Sequence, residues 1–263
     1  MNDFSALKSV RCFVLDMDGT FFLGSKLLPG AKDFLAWLER HGKEYMFLSN
    51  NSSRSREQYV EKLKSFGVDV TLEHIFTSGE ATGLALSQEY PGARIYAVGT
   101  PALEQELTAH GLRLVQEDAQ VAVLGFDTSL TYAKLWKLCD LVRAGLPYIA
   151  THADINCPIE GGWMPDIGSM ISLVATSTGR YPDLVVGKPN RTIVEMLVQR
   201  TGIPTTRMAM IGDRLYTDIA MGAAGLKTIL VMSGETRLED LPASAFQPDF
   251  IVENLADLLE KVG

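Results

Sequence analysis

The chain has 263 residues, 46% of them hydrophobic and 21% charged, enough to bury one large core or two modest ones. A net charge of −8 and a pI near 5.1 argue against a binder of phosphate backbones, so nucleic acid is not an expected partner. No run approaches ~18 unbroken apolar residues, and the first apolar segment ends in acids rather than in a cleavage site, so neither a membrane span nor a signal peptide is expected.

The cysteines, Cys12, Cys139 and Cys157, are odd in number and lack a CxxC spacing, which fits a reducing, cytoplasmic setting better than a disulfide framework. Val10 to Leu15 reads as a buried parallel strand that ends in Asp16-Met17-Asp18-Gly19-Thr20. Two positions apart on extended backbone, Asp16 and Asp18 project to one face, and Gly19 lets the chain turn away. An ionised Asp is a competent nucleophile at pH 7, whereas an acid-base Asp must hold a proton, which takes a pKa raised by roughly 3 units. A cation touching the side chain of Asp16 but only the backbone carbonyl of Asp18 would create that difference. The competing reading is an acidic turn at a strand end.

Phe21 to Leu28 reads as irregular. Pro29-Gly30 then opens a helix with Ala31, Phe34, Leu35 and Leu38 at helical spacing, and Gly42 closes it. Glu44 to Leu48 is a second buried strand. It ends in Ser49-Asn50-Asn51-Ser52-Ser53 before a helix carrying Tyr59, Val60, Leu63 and Phe66, an arrangement suited to phosphate oxygens or to a simple helix cap. Ile75 to Ser78 reads as a strand and Gly79 to Ser87 as a helix.

Composition then restarts as a second α/β unit. Arg94 to Gly99, Ala119 to Phe126 and Pro147 to Ala150 read as strands; Thr100-Pro101 caps a helix to His110, and a further helix spans Thr131 to Arg143. The expected organisation is a core of residues 1–87 and 182–263 with an inserted smaller α/β unit at 88–181. Leu184 to Val186 is expected to return to the first sheet and hand over Lys188. A helix from Arg191 to Gln199 and a strand from Met208 to Ile211 follow, the strand ending in Asp213, and Asp218 starts the next helix. Thr228 to Met232 and Phe250 to Val252 read as strands, and Leu255 to Leu259 as the closing helix.

Strands alternating with helices imply a Rossmann-like, doubly wound parallel sheet. Its carboxyl edge would gather Asp16, Asp18, Ser49, Asn50, Lys188 and Asp213. Oxygen ligands from Asp16 and Asp213 suit Mg2+, and no Cys/His cluster supports zinc.

Leu15 to Thr20, Leu48-Ser49-Asn50-Asn51-Ser52, Gly187-Lys188-Pro189 and Ile211-Gly212-Asp213-Arg214-Leu215-Tyr216-Thr217-Asp218-Ile219 resemble, in order, the signature stretches of the haloacid dehalogenase-like (HAD) phosphohydrolases. The double Asn, the GKP and the GDR-x-x-TDI form are most similar to the NagD-like, p-nitrophenyl phosphatase branch (subfamily IIA). This resemblance implies a Mg2+-dependent phosphatase that hydrolyses small organic phosphomonoesters of the nucleotide, sugar phosphate, glycerol phosphate or p-nitrophenyl phosphate type through an aspartyl-phosphate. It makes Asp16 the nucleophile and Asp18 the general acid and base, with Asp16, Asp18 and Asp213 holding the metal. Ser49, Asn50, Asn51 and Lys188 would bind the phosphoryl group, Ser49 standing where the family more usually has Thr. Asp218 would orient Lys188 or a water on the metal, or serve only as a first-turn acid. The insertion would act as a cap, in a monomer or in a homodimer formed through it. Competing readings are a phosphotransferase or mutase on the same core, and an inactive binding module.

Within the insertion, Ile155 to Ile167 lacks helix or strand periodicity and carries Ile159, Glu160, Gly161, Gly162, Trp163, Met164, Pro165 and Asp166. Trp163 offers a flat apolar surface for a base or ring and Asp166 a carboxylate for a hydroxyl; alternatively Trp163 anchors the loop to the insertion's own core. His41, His74 and His110 fall near helix ends or turns, where capping is expected. His152 lies in Thr151-His152-Ala153-Asp154, where relatives tend to carry TNPD, and faces substrate or has no catalytic part.

Overall fold

The structure, a computed structural model, describes residues 3–159 and 161–263; Glu160 lies outside the described residues. The first half of the chain forms β1 (Cys12–Leu15), a small hairpin of β2 (Phe22–Leu23) and β3 (Lys26–Leu27), α1 (Ala31–Arg40), β4 (Glu44–Ser49), α2 (Arg56–Ser65), β5 (Ile75–Thr77), α3 (Ser78–Glu89), β6 (Arg94–Val98), α4 (Pro101–Ala109), β7 (Arg113–Leu114) and β8 (Val121–Leu124). The second half forms α5 (Tyr132–Arg143), β9 (Tyr148–Ala150), β10 (Asn156–Ile159), β11 (Gly162–Pro165), α6 (Ile167–Thr178), β12 (Leu184–Val185), α7 (Arg191–Thr201), β13 (Met208–Gly212), β14 (Lys227–Val231), β15 (Phe250–Val252) and α8 (Leu255–Val262). Contacts divide the chain into one unit of Met1–Ser49, Val60–Phe76 and Leu197–Gly263 and another of Asn50–Tyr59 and Thr77–Met196.

The first unit holds a six-stranded sheet in the order β15-β14-β13-β1-β4-β5, with parallel registers across β13, β1 and β4. From β1 the chain winds outward through β4 to β5, then returns on the other side through β13, β14 and β15. The winding direction therefore reverses between β1 and β13, the place where open α/β sheets bind ligands. All of β1 and β13 is buried, as continuous apolar runs in a sheet covered on both faces should be. In α1 the periodic residues Ala31, Phe34, Leu35 and Leu38 are the buried ones, and Phe34 meets Phe13 of β1 edge-on at 5.7 Å. His41 closes that helix with its Nδ1 2.8 Å from the Trp37 carbonyl, the expected capping role. The segment after Asp218 is a 3-10 run over Ile219–Ala224 rather than an α-helix.

The second unit holds a five-stranded sheet in the order β12-β9-β8-β6-β7, parallel throughout its registers. Its core gathers Tyr96, Val98, Leu124, Leu138, Tyr148 and Val174. Two readings are corrected here. Leu184 and Val185 pair with Ile149 and Ala150 of β9, so this strand extends the second sheet and does not return to the first; two residues are too few for periodicity to tell which sheet takes them. The segment expected to lack regular structure is an antiparallel hairpin, Pro158 opposite Trp163, followed by α6, which the sequence reading did not assign. Alternation along β11 turns Met164 toward the core, while Trp163 is 59% exposed. Trp163 is therefore not the anchor; Met164 is.

Among the described residues no helix is long and apolar enough to cross a membrane. The three cysteines are free, Cys12 and Cys139 in the core, where burial pushes the Cys12 thiol up to about 12.

Candidate active site

In the first unit the tips of β1 and β13 place three carboxylates together. Asp16, Asp213 and Asp218 offer ligand oxygens that all lie within 4.8 Å of one another, with Asp213 and Asp218 buried. The register explains Asp16 and Asp213: Leu15 pairs with Ile211, and Asp16 donates its amide to the Ile211 carbonyl at 2.8 Å. The Asp213 carboxylate is half satisfied. Its Oδ2 accepts from the Glu235 amide at 2.7 Å, whereas its Oδ1 is buried and has no partner among the described residues. Burial, and then the negative charge of Asp218, pushes the Asp213 carboxyl up from its ordinary range. Asp218 is fixed by the Arg214 amide, which donates to its Oδ2 at 3.2 Å.

A buried carboxylate with one oxygen lacking a partner among the described residues, clustered with two further carboxylates, is costly unless a cation offsets it. The donors are all oxygens, which fits a hard divalent ion rather than zinc or copper. The surrounding backbone is close. Gly19 has φ of +89°, and a Cβ there would stand 2.5 Å from Asp213 Oδ2 and 3.2 Å from the Gly234 Cα. Only glycine serves both the turn and the approach.

Asp18 is not one of the three. Its side chain is 45% exposed, and Lys62 of α2, which sequence reasoning missed, stands 3.8 Å from its Oδ1. Ser49 ends β4 and is 6% exposed. The segment after β14 was missed as well. Ser233 donates to the Gly19 carbonyl at 2.8 Å, Gly234 packs against the Asp213 carboxylate, and Glu235 supplies its amide to Asp213 while pairing with Arg214 at 2.9 Å. The available signal was a further strand end, Ser233-Gly234, beside the expected acids. Tyr216, to which no role was given, donates its hydroxyl to Glu235 at 3.0 Å.

In the second unit the residues around Lys188 form a compact polar network. The Asn50 Oδ1 accepts from the Lys188 amide at 2.7 Å, and its Nδ2 donates to the Lys188 carbonyl at 3.1 Å and to Asp154 Oδ1 at 2.9 Å. The Asn50 carboxamide is thus committed to protein, not to substrate. Asn51 Oδ1 accepts from the amide and hydroxyl of Ser53, forming the turn that leads into α2. Ser52 Oγ bonds Thr151 Oγ1 at 2.9 Å and accepts from the Phe126 amide at 2.9 Å. Thr100 is the N-cap residue of α4, as expected, but its hydroxyl donates to the Ser53 carbonyl and not into the helix.

His152 is fully buried, its Nε2 3.0 Å from Asp166 Oδ1 and its Nδ1 3.1 Å from Thr151 Oγ1. Asp166 is 3% exposed and its Oδ1 also accepts from the Ile167 amide as the N-cap of α6. The Asp166 Oδ1, expected to be available for a substrate hydroxyl, is thus engaged by His152 and by the start of α6.

Comparison with known proteins agrees with these features. Residues 13–113 match the family described as haloacid dehalogenase-like hydrolase, and residues 185–258 a HAD-hydrolase-like family. The 5'-nucleotidase YutF of Bacillus subtilis is 34% identical over 252 residues, 95% of this chain and 98% of that protein. The 4-nitrophenylphosphatase from Thermotoga maritima superposes with a TM-score of 0.95 at 46% identity, covering 98% of this chain and 99% of that one. A structure described as a putative nagD protein gives 0.91 at 43% identity, covering 97% and 98%.

Proposed function

The chain belongs to the haloacid dehalogenase-like hydrolases, in their NagD-like branch, and is a phosphoric monoester hydrolase acting on small phosphoesters; from that premise we propose a Mg2+-assisted reaction through an aspartyl-phosphate on Asp16. The observation that carries the metal is the buried Asp213 Oδ1, without a partner, beside the carboxylates of Asp16 and Asp218. Asp16, Asp213 and the backbone carbonyl of Asp18 would hold the ion, with Asp218 fixing the loop beside them. Bound there, Mg2+ supplies positive charge to the phosphoryl oxygens and to the acids themselves.

The chain's own groups supply the rest. The Asp16 carboxylate attacks phosphorus in line, forming the acyl phosphate as the bond to the leaving oxygen breaks. Asp18 gives that oxygen its proton, then, ionised, takes one from the water that attacks the acyl phosphate and releases inorganic phosphate. The Ser49 hydroxyl, a backbone amide at Asn50 or Asn51, and the Lys188 ammonium stabilise the charge spread over the phosphoryl oxygens. Residues 88–181 serve as the cap that excludes water, and the exposed face of Trp163 reads the leaving group. Substrates are nucleotide, sugar or glycerol phosphates or p-nitrophenyl phosphate. The free thiols support a reducing, cytoplasmic setting.

The test is hydrolysis of p-nitrophenyl phosphate by the wild type and by Asp16→Asn, with and without Mg2+. Wild-type turnover should require the ion and the variant should lose nearly all of it with its fold intact. More than a few per cent residual turnover in the variant would end the case for covalent catalysis at Asp16.

A further inference from the structure

We propose that Asp154 is a positioning residue for Lys188, acting through the carboxamide of Asn50; this rests on the reading of Lys188 as the cation that binds the phosphoryl group. A primary amide has two donor hydrogens and one acceptor oxygen. Asn50 uses all of them. Its oxygen takes the Lys188 amide, one hydrogen goes to the Lys188 carbonyl, and the other goes to Asp154. Both backbone groups of Lys188 are thereby gripped by one side chain.

Asp154 decides which way round that grip is made. An ionised carboxylate only accepts, so it requires the NH2 end of Asn50 on its side, and the oxygen then has to face the Lys188 amide. A flipped Asn50 would set its oxygen against the carboxylate and the Lys188 carbonyl, and an N–H donor against the Lys188 amide. All three residues are nearly sealed from water, Asn50 at 5%, Asp154 at 7% and Lys188 at 3% exposure, so a mismatch has no solvent to relieve it.

The other side of the grip is equally tight. The Gly187 amide donates to the Thr151 carbonyl at 2.7 Å, and a Cβ on Gly187 would stand 2.6 Å from Asn50 Oδ1 and 2.7 Å from the His152 Cβ. Asp154 is itself tied to the start of α6. Its carbonyl accepts from the Gly168 amide at 2.8 Å, and the neighbouring His152 is held by Asp166, the N-cap of that helix. A rigid helix end thus sets Asp154, Asp154 sets Asn50, and Asn50 sets the stem of Lys188.

The test is a double-mutant cycle on kcat/KM, run on p-nitrophenyl phosphate and on an alkyl phosphate with Mg2+ present. Asp154→Ala should lose roughly ten- to hundredfold, the scale of one hydrogen bond to a charged group, by a similar factor for both substrates. Asp154→Asn, which keeps an accepting oxygen, should lose distinctly less. Lys188→Ala with Asp154→Ala should be no worse than Lys188→Ala alone, because the positioned group is gone. Additive losses, unequal losses between the substrates, or wild-type activity in Asp154→Ala would each overturn the proposal. Wild-type activity in Lys188→Ala would instead sink the reading of Lys188, and that single variant reports it separately. If Asp154→Ala does not fold, Asn50→Asp is compared with the swap Asn50→Asp/Asp154→Asn: partial recovery in the swap supports the coupling, and none overturns it.

Discussion

The hydroxyl oxygen of Thr77 lies 2.9 Å from both carboxyl oxygens of Glu106, inside the second unit. That oxygen already accepts from the Glu80 amide at 3.0 Å and has a single proton to give. That one proton is shared between the two carboxyl oxygens, an interaction that favours the ionised acid and works against burial. Burial is the main cause that pushes Glu106 up to about 8, with Thr77 opposing, Glu80 and Glu57 reinforcing, and Arg56 opposing.

A pH dependence of stability follows. Between the ordinary value of 4.5 and about 8 the folded chain keeps a proton on Glu106 that the unfolded chain releases. Stability from this group is complete below 4.5 and is lost as pH rises toward 8. Glu106→Gln, which still accepts from Thr77, should flatten the Tm profile across that window and melt higher than wild type at its alkaline end. An unchanged slope would show that Glu106 is ionised in the folded state.

Asp213→Asn separates stability from function. The amide keeps an oxygen for the Glu235 N–H but removes a buried charge that Asp218 repels. In chelator at pH 8 the variant should melt above the wild type, and saturating Mg2+ should stabilise only the wild type. Loss of one outer-sphere group typically weakens a metal site ~10–100-fold, so the Mg2+ requirement for activity should rise by at least that much. A superimposable Mg2+ titration would remove Asp213 from the ligands.

Asp18→Asn should discriminate between leaving groups. Alkoxide departure needs a proton and p-nitrophenolate departure needs little, so alkyl phosphates should lose at least about tenfold more activity than p-nitrophenyl phosphate in the first step, phosphoryl transfer to Asp16. Equal losses would take the acid role from Asp18 and direct attention to Lys62, 3.8 Å away.

Trp163 and Met164 stand on opposite faces of β11, and their variants should part company. Trp163→Ala should change kcat/KM unevenly over a panel of phosphomonoesters while Tm moves little. Met164→Ala should lower Tm, by about 1–3 kcal/mol of stability for a partly buried side chain, with specificity retained. A uniform fall over the panel for Trp163→Ala would send the search for specificity to other residues.

What the sequence made legible was whatever ended a long apolar strand. Asp16 and Asp213 follow β1 and β13 and Ser49 ends β4, and a run of four or five buried residues before a polar one is a strong local signal. Lys188 was legible as a motif but not as a position, because its strand has two residues and joins the second sheet. The hairpin escaped notice because Pro158 and the paired glycines resemble loop chemistry, although the alternation of Trp163 and Met164 was there to be read. The use of Asn50 was beyond reach for a different reason: an amide that binds phosphate and one that grips a backbone have the same letter. Glu106 gave no sign at all, since only its burial against Thr77 and Glu80 distinguishes it from any other helical glutamate.

The neighbours β1 and β13 lie about three-quarters of the chain apart, and this orders events at the ribosome. Asp16 leaves the exit tunnel with the first strand, and β4 can pair with β1 at once, but Asp213 and Asp218 are translated only in the last quarter of the chain. A nascent chain therefore carries one of the three clustered carboxylates until β13 pairs with β1. A product truncated before β13 would lack two of the three carboxylates of that cluster.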